Sequence, residues 1–366
     1  MTAYLAELHA RSQIDSDEYE ALIPTGAQSA EELYALTLHF PLLVAAALPT
    51  RNLAKISALA AQRSTLAFRN AALSRSAAPV VFAHGADQPP NVPFPIGARS
   101  STNLHSLSAG NGTSPPQRID HHTAWRNVGW PVRDQGQRGT CVAHALAACV
   151  ETLPTASTAP AQIADRSEQF LYWGAKQYDL SPTDGTLHGH ALTALQKLGL
   201  CDEALWPYVR LPAGGVVHQG PPPPGAATAA LTALHAGGNV AAPSNASALH
   251  RELHHGPVAI GVPVFADPSN LTKDNWNVGG LMEYGRVAEP PPMSVVVGGH
   301  AVCIVGFEPD AREPAGQGWF IIRNSWGTGI WGSSLPDPRY HAPEPGYGQI
   351  SWSYVDSYLW ELCWLH

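Results

Sequence analysis

A cysteine lies at the junction between a glycine-bearing turn and a long apolar run. The turn reads Asp-Gln-Gly-Gln-Arg-Gly-Thr and ends at Cys141, and the Ala-rich run that follows it to Glu151 predicts a helix. At a helix N-terminus the unpaired backbone N–H groups and the helix dipole stabilise a thiolate and lower the pKa of a cysteine. The sequence therefore predicts that Cys141 is a nucleophile near neutral pH. A small buried residue at this position is the structural alternative.

A histidine and an asparagine supply the other two parts of a nucleophilic site. His300 stands at the mouth of a β-prone run, and Gly298 and Gly299 before it let another chain approach the imidazole. Asn324 stands at the exit of the next β-prone run, where its side chain can accept the imidazole N–H and fix the tautomer. The indole of Trp326 is expected to shield that hydrogen bond from water.

These residues, in this order, resemble the papain-like cysteine peptidases, the family of papain and the cathepsins. The resemblance covers residues 118–366 and rests on short motifs in the family's order: Asp120 with Trp125-Arg126, Pro131–Gly136, Gly139–Cys141, Gly299–Val302, Val305-Gly306, Asn324–Gly327 and Gly346–Gly348. It implies an α+β fold of two lobes, in which a helical lobe carries the cysteine and an antiparallel β lobe carries the histidine and the asparagine.

The resemblance also implies a role for each residue of the site. It makes Cys141 the nucleophile, His300 the general acid and base, and Asn324 the residue that orients the imidazole. Gln135 becomes a side-chain donor to the oxyanion together with the Cys141 N–H, and one such donor typically lowers the barrier by about 3 kcal/mol. The implied substrate-binding residues are Asp184, Gly185, Thr186, Gly299 and Trp326.

Some positions depart from the family or compete with its pattern. Arg138 stands where the family commonly has a disulfide cysteine, three residues before the nucleophile, and Val142 replaces an aromatic residue. Loss of that disulfide agrees with a reducing compartment. Arg138 is expected either to bring a positive charge near the thiolate or to be a solvated surface residue. His144 is a rival base, but it occupies a helix-core position in the family pattern.

Composition divides the chain into three parts. Residues 1–85 are Ala- and Leu-rich and predict helices, among them one with Ser29 as its N-cap and a long one over Arg51–Ser74. Residues 86–117 are rich in Pro, Ser, Asn and Gly, which is typical of a linker or an extended surface segment. Residues 118–366 are the peptidase-like domain, with β-prone runs at Pro257–Val264, Ala301–Phe307, Trp319–Arg323 and Tyr347–Trp352. Helices that precede strands favour an α+β fold.

Two further regions have expected roles. Gly279–Val297 is long and Pro-rich, which predicts either a lid or a surface loop. The N-terminal region is expected either to bind the catalytic cleft in cis or to bind a protein partner. The first of these rests on its position, because a helical segment is followed by an extended one long enough to reach the cleft.

Charge and motif content disfavour several function classes. The chain has 21 Lys and Arg residues and 29 Asp and Glu residues, so its formal net charge is −8, and it has no basic run. This charge disfavours nucleic acid and anionic membranes as partners. No signal peptide or membrane span is visible, so a cytoplasmic protein is expected. The dispersed cysteines and the histidine pairs lack metal-ligand spacing, and the glycine motif Gly327–Gly332 is not followed by a helix. The sequence therefore predicts no metal and no dinucleotide cofactor.

The sequence as a whole predicts a cysteine endopeptidase that cleaves polypeptide substrates through a thioester on Cys141. One alternative is an acyl-transfer enzyme of the same fold, such as a transpeptidase, deamidase or amidase. The other is a non-catalytic peptide-binding protein on a peptidase fold. The intact set of Gln135, Cys141, His300 and Asn324 argues against that last alternative.

Overall fold

The computed structural model describes residues 4–48, 53–77, 83–92, 116–126, 129–153, 164–210, 220–334 and 340–366. In these residues a group of N-terminal helices is followed by a helical lobe and then by a β lobe. The expected two-lobed α+β architecture is confirmed. No helix in the described ranges is long and apolar enough to cross a membrane.

The N-terminal region is helical. Its helices are α1 (Leu5–Ala10), α2 (Ser16–Leu22), α3 (Ala30–His39), α4 (Pro41–Ala47), α5 (Leu53–Arg63) and α6 (Leu66–Ala77). Ser29 caps α3 as expected, because its hydroxyl accepts the Glu32 N–H at 3.2 Å. The prediction of one long helix over Arg51–Ser74 is wrong. Helix α5 ends before Thr65, whose N–H and hydroxyl donate to the Glu31 carboxylate at 3.0 and 2.9 Å, and a separate helix begins at Leu66.

The helical lobe is built around the helix that begins at the cysteine. Its helices are α7 (His122–Arg126), α8 (Cys141–Glu151), α9 (Glu168–Tyr178), α10 (His188–Leu198) and α11 (Ala226–Ala233). Every residue of α8 is buried. Burial of a large apolar side chain contributes about 1.5–3 kcal/mol, so side chains such as Leu146 hold α8 firmly at the centre of the lobe.

The β lobe is an antiparallel sheet. Its elements are β1 (Ile119–Asp120), β2 (Gly238–Ala241), α12 (Ala246–Leu253), β3 (Val258–Asp267), β4 (Asn270–Asp274), β5 (Val295–Pro309), β6 (Gly318–Arg323), β7 (Tyr347–Ser351), α13 (Trp352–Tyr358) and β8 (Glu361–Leu365). The sheet order is β2-β8-β3-β5-β6-β7, with β1 added to β5 and β4 to β3. The four β-prone runs of the sequence are confirmed as β3, β5, β6 and β7, although Trp352 already begins a helix.

Helix α8 joins the two lobes, because its inner face packs on β3, β5 and β8. Cys149 of α8 lies with its sulfur 3.7 Å from that of Cys303 on β5. Cys303 pairs across the strands with Ala259, which in turn pairs with Cys363 of β8. The strand that carries His300 is therefore packed directly on the helix that begins at Cys141.

The N-terminal helices share a hydrophobic core with the β lobe. Leu36 and Phe68 pack in one cluster with Val278 and Leu281. Leu281 lies in the Pro-rich region Gly279–Val297, and Val278 directly precedes it. Most of this region is buried beneath the helices. The prediction of a lid or surface loop there is wrong, because the region is the platform on which the N-terminal helices lie.

Candidate active site

Cys141 begins helix α8 and is fully buried, with 0% of its surface exposed. Burial raises the pKa of its thiol to about 11, and the backbone N–H groups of Ala301 and Gly85 offset this only in part. The sequence predicts a lowered pKa at this helix N-terminus, and the structure gives the opposite direction. The reason is that desolvation of the sulfur outweighs the helix dipole, so the group is a neutral thiol in this structure.

His300 lies on β5 and is held by Asn324, which follows the end of β6. The imidazole Nε2 is 2.8 Å from Asn324 Oδ1. The same oxygen accepts the N–H of Ser325 at 2.8 Å, so it is an acceptor and Nε2 must carry the proton. His300 Nδ1 is then unprotonated in the neutral ring, and it has no hydrogen-bond partner in the described part of the chain. That nitrogen is free to take a proton.

Aromatic rings enclose the histidine. The Trp326 indole stacks on the imidazole with ring centroids 4.5 Å apart, and Trp276 meets it edge-on at 4.9 Å. Burial lowers the pKa of His300 to about 3, so the ring is neutral in this structure. Cys141 and His300 are therefore both uncharged here.

Gln135 lies on the turn before the nucleophile with its side-chain amide fully oriented. Its Oε1 accepts the Ser325 hydroxyl at 2.6 Å, and its Nε2 donates to the carbonyl oxygens of Arg138 at 2.8 Å and Ala83 at 3.1 Å. Its backbone N–H donates to Ser325 O at 2.8 Å. The amide N–H predicted to hold an oxyanion thus already holds a carbonyl oxygen of the chain.

Residues 83–87, called the strap from here on, lie extended in the cleft between the lobes. The strap pairs with Thr186 as a parallel bridge, in which Thr186 N–H donates to Gly85 O and Asp87 N–H donates to Thr186 O, both at 3.0 Å. On the other side, Ala86 N–H donates to Gly299 O at 3.0 Å. The extended segment thus starts before residue 86. Beyond it the chain turns, with Val92 N–H donating to Pro89 O at 3.1 Å, and Pro90 and Asn91 are exposed. Residues 93–115 of the predicted linker lie outside the described residues.

Two side chains of the strap, those of His84 and Asp87, contact the lobes. His84 Nε2 lies 3.6 Å from the buried carboxylate of Asp274, and its ring meets His300 edge-on at 5.9 Å. Asp87 accepts the Thr183 hydroxyl at 3.2 Å. The strap is therefore held by side chains on both sides of Gly85.

The predicted substrate-binding residues lie at this cleft in different roles. Thr186 and Gly299 hydrogen-bond to the strap, and a Cβ on Gly185 would lie 2.3 Å from Asp87 Oδ1. Asp184 instead turns its carboxylate toward the catalytic turn, where it accepts the Gly139 N–H at 3.2 Å. Trp326 covers His300 as described above.

The structure also settles how the competing residues are placed. His144 is buried, and its Nδ1 meets the Thr140 carbonyl of its own helix at 3.0 Å. His188 meets the Glu361 carboxylate at 3.1 Å. Within the described ranges no three His, Cys, Asp or Glu side chains are grouped to hold a metal ion.

Arg138 and Tyr208 contribute to the site in ways that the local sequence pattern does not predict. Arg138 is 3% exposed, so the prediction of a solvated surface residue is wrong. Its guanidinium lies over the ring of Tyr208, 4.6 Å from the centroid, and donates to Gln169 Oε1 at 2.7 Å. The short Trp-Pro-Tyr segment at 206–208 was the signal available for Tyr208.

Comparison with known proteins places these features in a family. The sequence model described as papain family cysteine protease matches residues 115–334. Xylellain, a cysteine protease from Xylella fastidiosa, superposes with a TM-score of 0.54 at 22% identity, over 78% of this chain and 97% of that one. The ragweed pollen allergen Amb a 11 in its proform gives 0.45 at 22% identity, over 70% and 66%. The Carica candamarcensis protease CMS1MS2 in complex with E-64 gives 0.45 at 25% identity, over 68% and 98%.

The family match spans more than half of the chain, and the xylellain superposition shows the same fold. The chain belongs to the papain family of cysteine proteases.

Proposed function

We propose that this protein is a cysteine endopeptidase held latent by its own strap. The observation that carries the proposal is the extended polypeptide in the cleft, bound through backbone hydrogen bonds to Thr186, Gly299 and Gln135. A cleft that holds a peptide through its backbone N–H and C=O groups suits an enzyme for polypeptides. Polypeptide substrate and cis-binding strap would compete for the same donors and acceptors.

In the open state the proposed reaction is acyl transfer from a peptide to water. The Cys141 thiolate attacks the carbonyl carbon, while Gln135 Nε2 and the Cys141 N–H hold the developing oxyanion. His300, oriented by Asn324, protonates the leaving amine, and it then takes a proton from the water that hydrolyses the thioester. Return of solvent on opening removes the desolvation that keeps both groups neutral, which favours the thiolate–imidazolium pair.

The strap escapes cleavage because the site grips two different peptide groups. Gln135 holds the carbonyl of Ala83, which belongs to the peptide bond before His84. The Cys141 sulfur meets the N–H of Gly85, which belongs to the next peptide bond. Attack needs the sulfur and the oxyanion donor at one carbonyl group, so this bound strap is non-productive.

The test uses a full-length variant whose strap cannot seat. In Gly85→Ala, the new Cβ would stand 2.1 Å from Gly139 O, which is backbone and cannot swing away. Gly189→Ala is the matched control, because nothing lies within 4 Å of its Cβ position. Turnover of a casein digest, with cleaved bonds mapped by mass spectrometry, is expected to be slow for the wild type and for Gly189→Ala. It should rise at least about tenfold for Gly85→Ala, since about 1.4 kcal/mol of strain is a factor of ten.

Adding Cys141→Ala to Gly85→Ala should abolish turnover. No peptide cleavage by Gly85→Ala would contradict the peptidase proposal, and release of ammonia or transfer to an added amine would favour an amidase, deamidase or transpeptidase instead. Turnover by the wild type equal to that of Gly85→Ala would contradict latency alone. The cytoplasmic location expected from the sequence stays a prediction.

A further inference from the structure

One tyrosine contacts both ends of the turn that carries the catalytic donors. The Tyr208 hydroxyl donates to the backbone carbonyl of Gln135 at 2.8 Å. It also lies 2.7 Å from the hydroxyl of Thr140, the residue before Cys141. Because the single phenolic proton is given to the Gln135 carbonyl, the Thr140 hydroxyl must be the donor in the second bond.

Tyr208 is itself firmly placed. Its backbone N–H donates to Glu203 Oε1 at 2.6 Å, and the edge contact with His144 of α8 has ring centroids 4.7 Å apart. The Arg138 guanidinium covers the ring, and it also donates to the carbonyl of the next residue, Val209, at 3.0 Å. Burial raises the pKa of Tyr208 to about 12, so the hydroxyl keeps its proton across the neutral range.

The two donors proposed for the oxyanion, Gln135 Nε2 and the Cys141 N–H, lie at opposite ends of this turn. We propose that Tyr208 is a positioning residue that fixes the spacing of these two donors, with Arg138 supporting its ring. This inference rests on the proposed function. Arg138 stands where the family commonly has a disulfide cysteine, and the noncovalent contacts of Arg138 and Tyr208 fix the same turn here.

The test is Tyr208→Phe in the full-length Gly85→Ala background. Loss of the hydroxyl releases both ends of the turn, so kcat should fall at least about tenfold while KM changes less than about twofold. Alkylation of Cys141 by iodoacetamide should keep its parental rate, since the contact of His300 with Asn324 is untouched. The matched control is Thr25→Val, which removes a buried hydroxyl that donates to Leu22 O at 2.6 Å at the end of α2. The control should keep the parental kcat.

A double-mutant cycle separates positioning from general stability. If Tyr208 acts through Gln135, then Tyr208→Phe should cost less than about twofold in kcat once Gln135→Ala is present. Equal additional loss in both backgrounds would overturn the proposal, and so would a parental kcat in Tyr208→Phe.

A readout that needs no hydrolysis keeps the proposal testable if the peptidase proposal fails. A peptide aldehyde, acetyl-alanyl-glycinal, adds to the thiol of Cys141: the S–C bond forms, the carbonyl π pair moves to oxygen, and the thiol proton passes to His300. Calorimetric affinity for this aldehyde should fall at least about tenfold in Tyr208→Phe and be lost in Cys141→Ala. Unchanged affinity in Tyr208→Phe would overturn the positioning role. Weakened affinity without any peptide cleavage would leave this role intact and reject only the peptidase proposal.

Discussion

The α-carbon of Gly85 packs against the backbone of Gly139, so closely that a Cβ on Gly85 would stand 2.1 Å from Gly139 O and 2.2 Å from its carbonyl carbon. Gly85 has no positive φ, so the limit is this contact and not backbone strain. Gly139 is two residues before the nucleophile. A glycine in the strap is therefore what allows the N-terminal segment to close over Cys141.

A first prediction concerns His84, which anchors the strap next to the close contact between Gly85 and Gly139 but takes no part in that contact. His84→Ala removes the contact with Asp274 but adds no clash, so the strap should loosen only in part. We expect full-length His84→Ala to turn over peptide at a rate between those of the wild type and Gly85→Ala. A rate equal to that of the wild type would show that the contact between His84 and Asp274 does not hold the strap.

A second prediction separates the roles of Asn324 and Gln135 in the Gly85→Ala background. Asn324→Ala leaves the His300 tautomer unfixed, so both peptide turnover and alkylation of Cys141 should slow at least about tenfold. Gln135→Ala removes an oxyanion donor, so turnover should fall about 100-fold or more while alkylation stays near the parental rate. Parallel loss of both measurements in Gln135→Ala would contradict its assignment as a donor to the oxyanion.

A third prediction concerns the attachment of the N-terminal helices to the β lobe. The guanidinium of Arg286 pairs with the Glu32 carboxylate, both buried, and lies 3.9 Å from the Trp319 ring centroid. Arg286→Ala leaves the Glu32 charge buried without its partner, which typically costs about 3–5 kcal/mol. Urea unfolding should show a loss of this order or a separate early transition of the helices.

Arg251→Ala is the control for this prediction, because Arg251 is exposed and pairs with Glu252 on the surface. Pairs of that kind contribute about 0–1 kcal/mol. An Arg286→Ala variant no less stable than Arg251→Ala would show that the buried pair does not attach the helices.

The sequence predicted the elements that carry chemistry because their signals are local. A glycine-bearing turn before an Ala-rich run marks Cys141, and alternating β-prone runs mark the strands around His300 and Asn324. The pKa direction of Cys141 could not be predicted, since it depends on a strap segment more than fifty residues earlier in the chain. The burial of Arg138 could not be predicted for a similar reason, because the Tyr208 ring that packs on its guanidinium comes seventy residues later in the chain.

Two predictions from local sequence pattern were wrong because tertiary contacts determine the structure at those places. The apolar spacing over Arg51–Ser74 continues through Ser64 and Thr65, but the Glu31 carboxylate captures the Thr65 backbone and ends the helix. Likewise the prolines of Gly279–Val297 suggested an exposed loop, and only the docked N-terminal helices explain its burial.

Latency imposed by the strap is tested by the pH dependence of Cys141 alkylation with limiting iodoacetamide, mapped by mass spectrometry, in the wild type and in Gly85→Ala. With the strap seated, the pKa of Cys141 is raised to about 11 and that of His300 is lowered to about 3, so both groups are neutral between these values. Wild-type labelling should be slow at neutral pH and increase only toward pH 11. In Gly85→Ala the thiolate–imidazolium pair should form, with fast labelling that persists to about pH 5. Fast labelling of wild-type Cys141 at pH 5–7, or identical profiles for the two proteins, would contradict latency imposed by the strap.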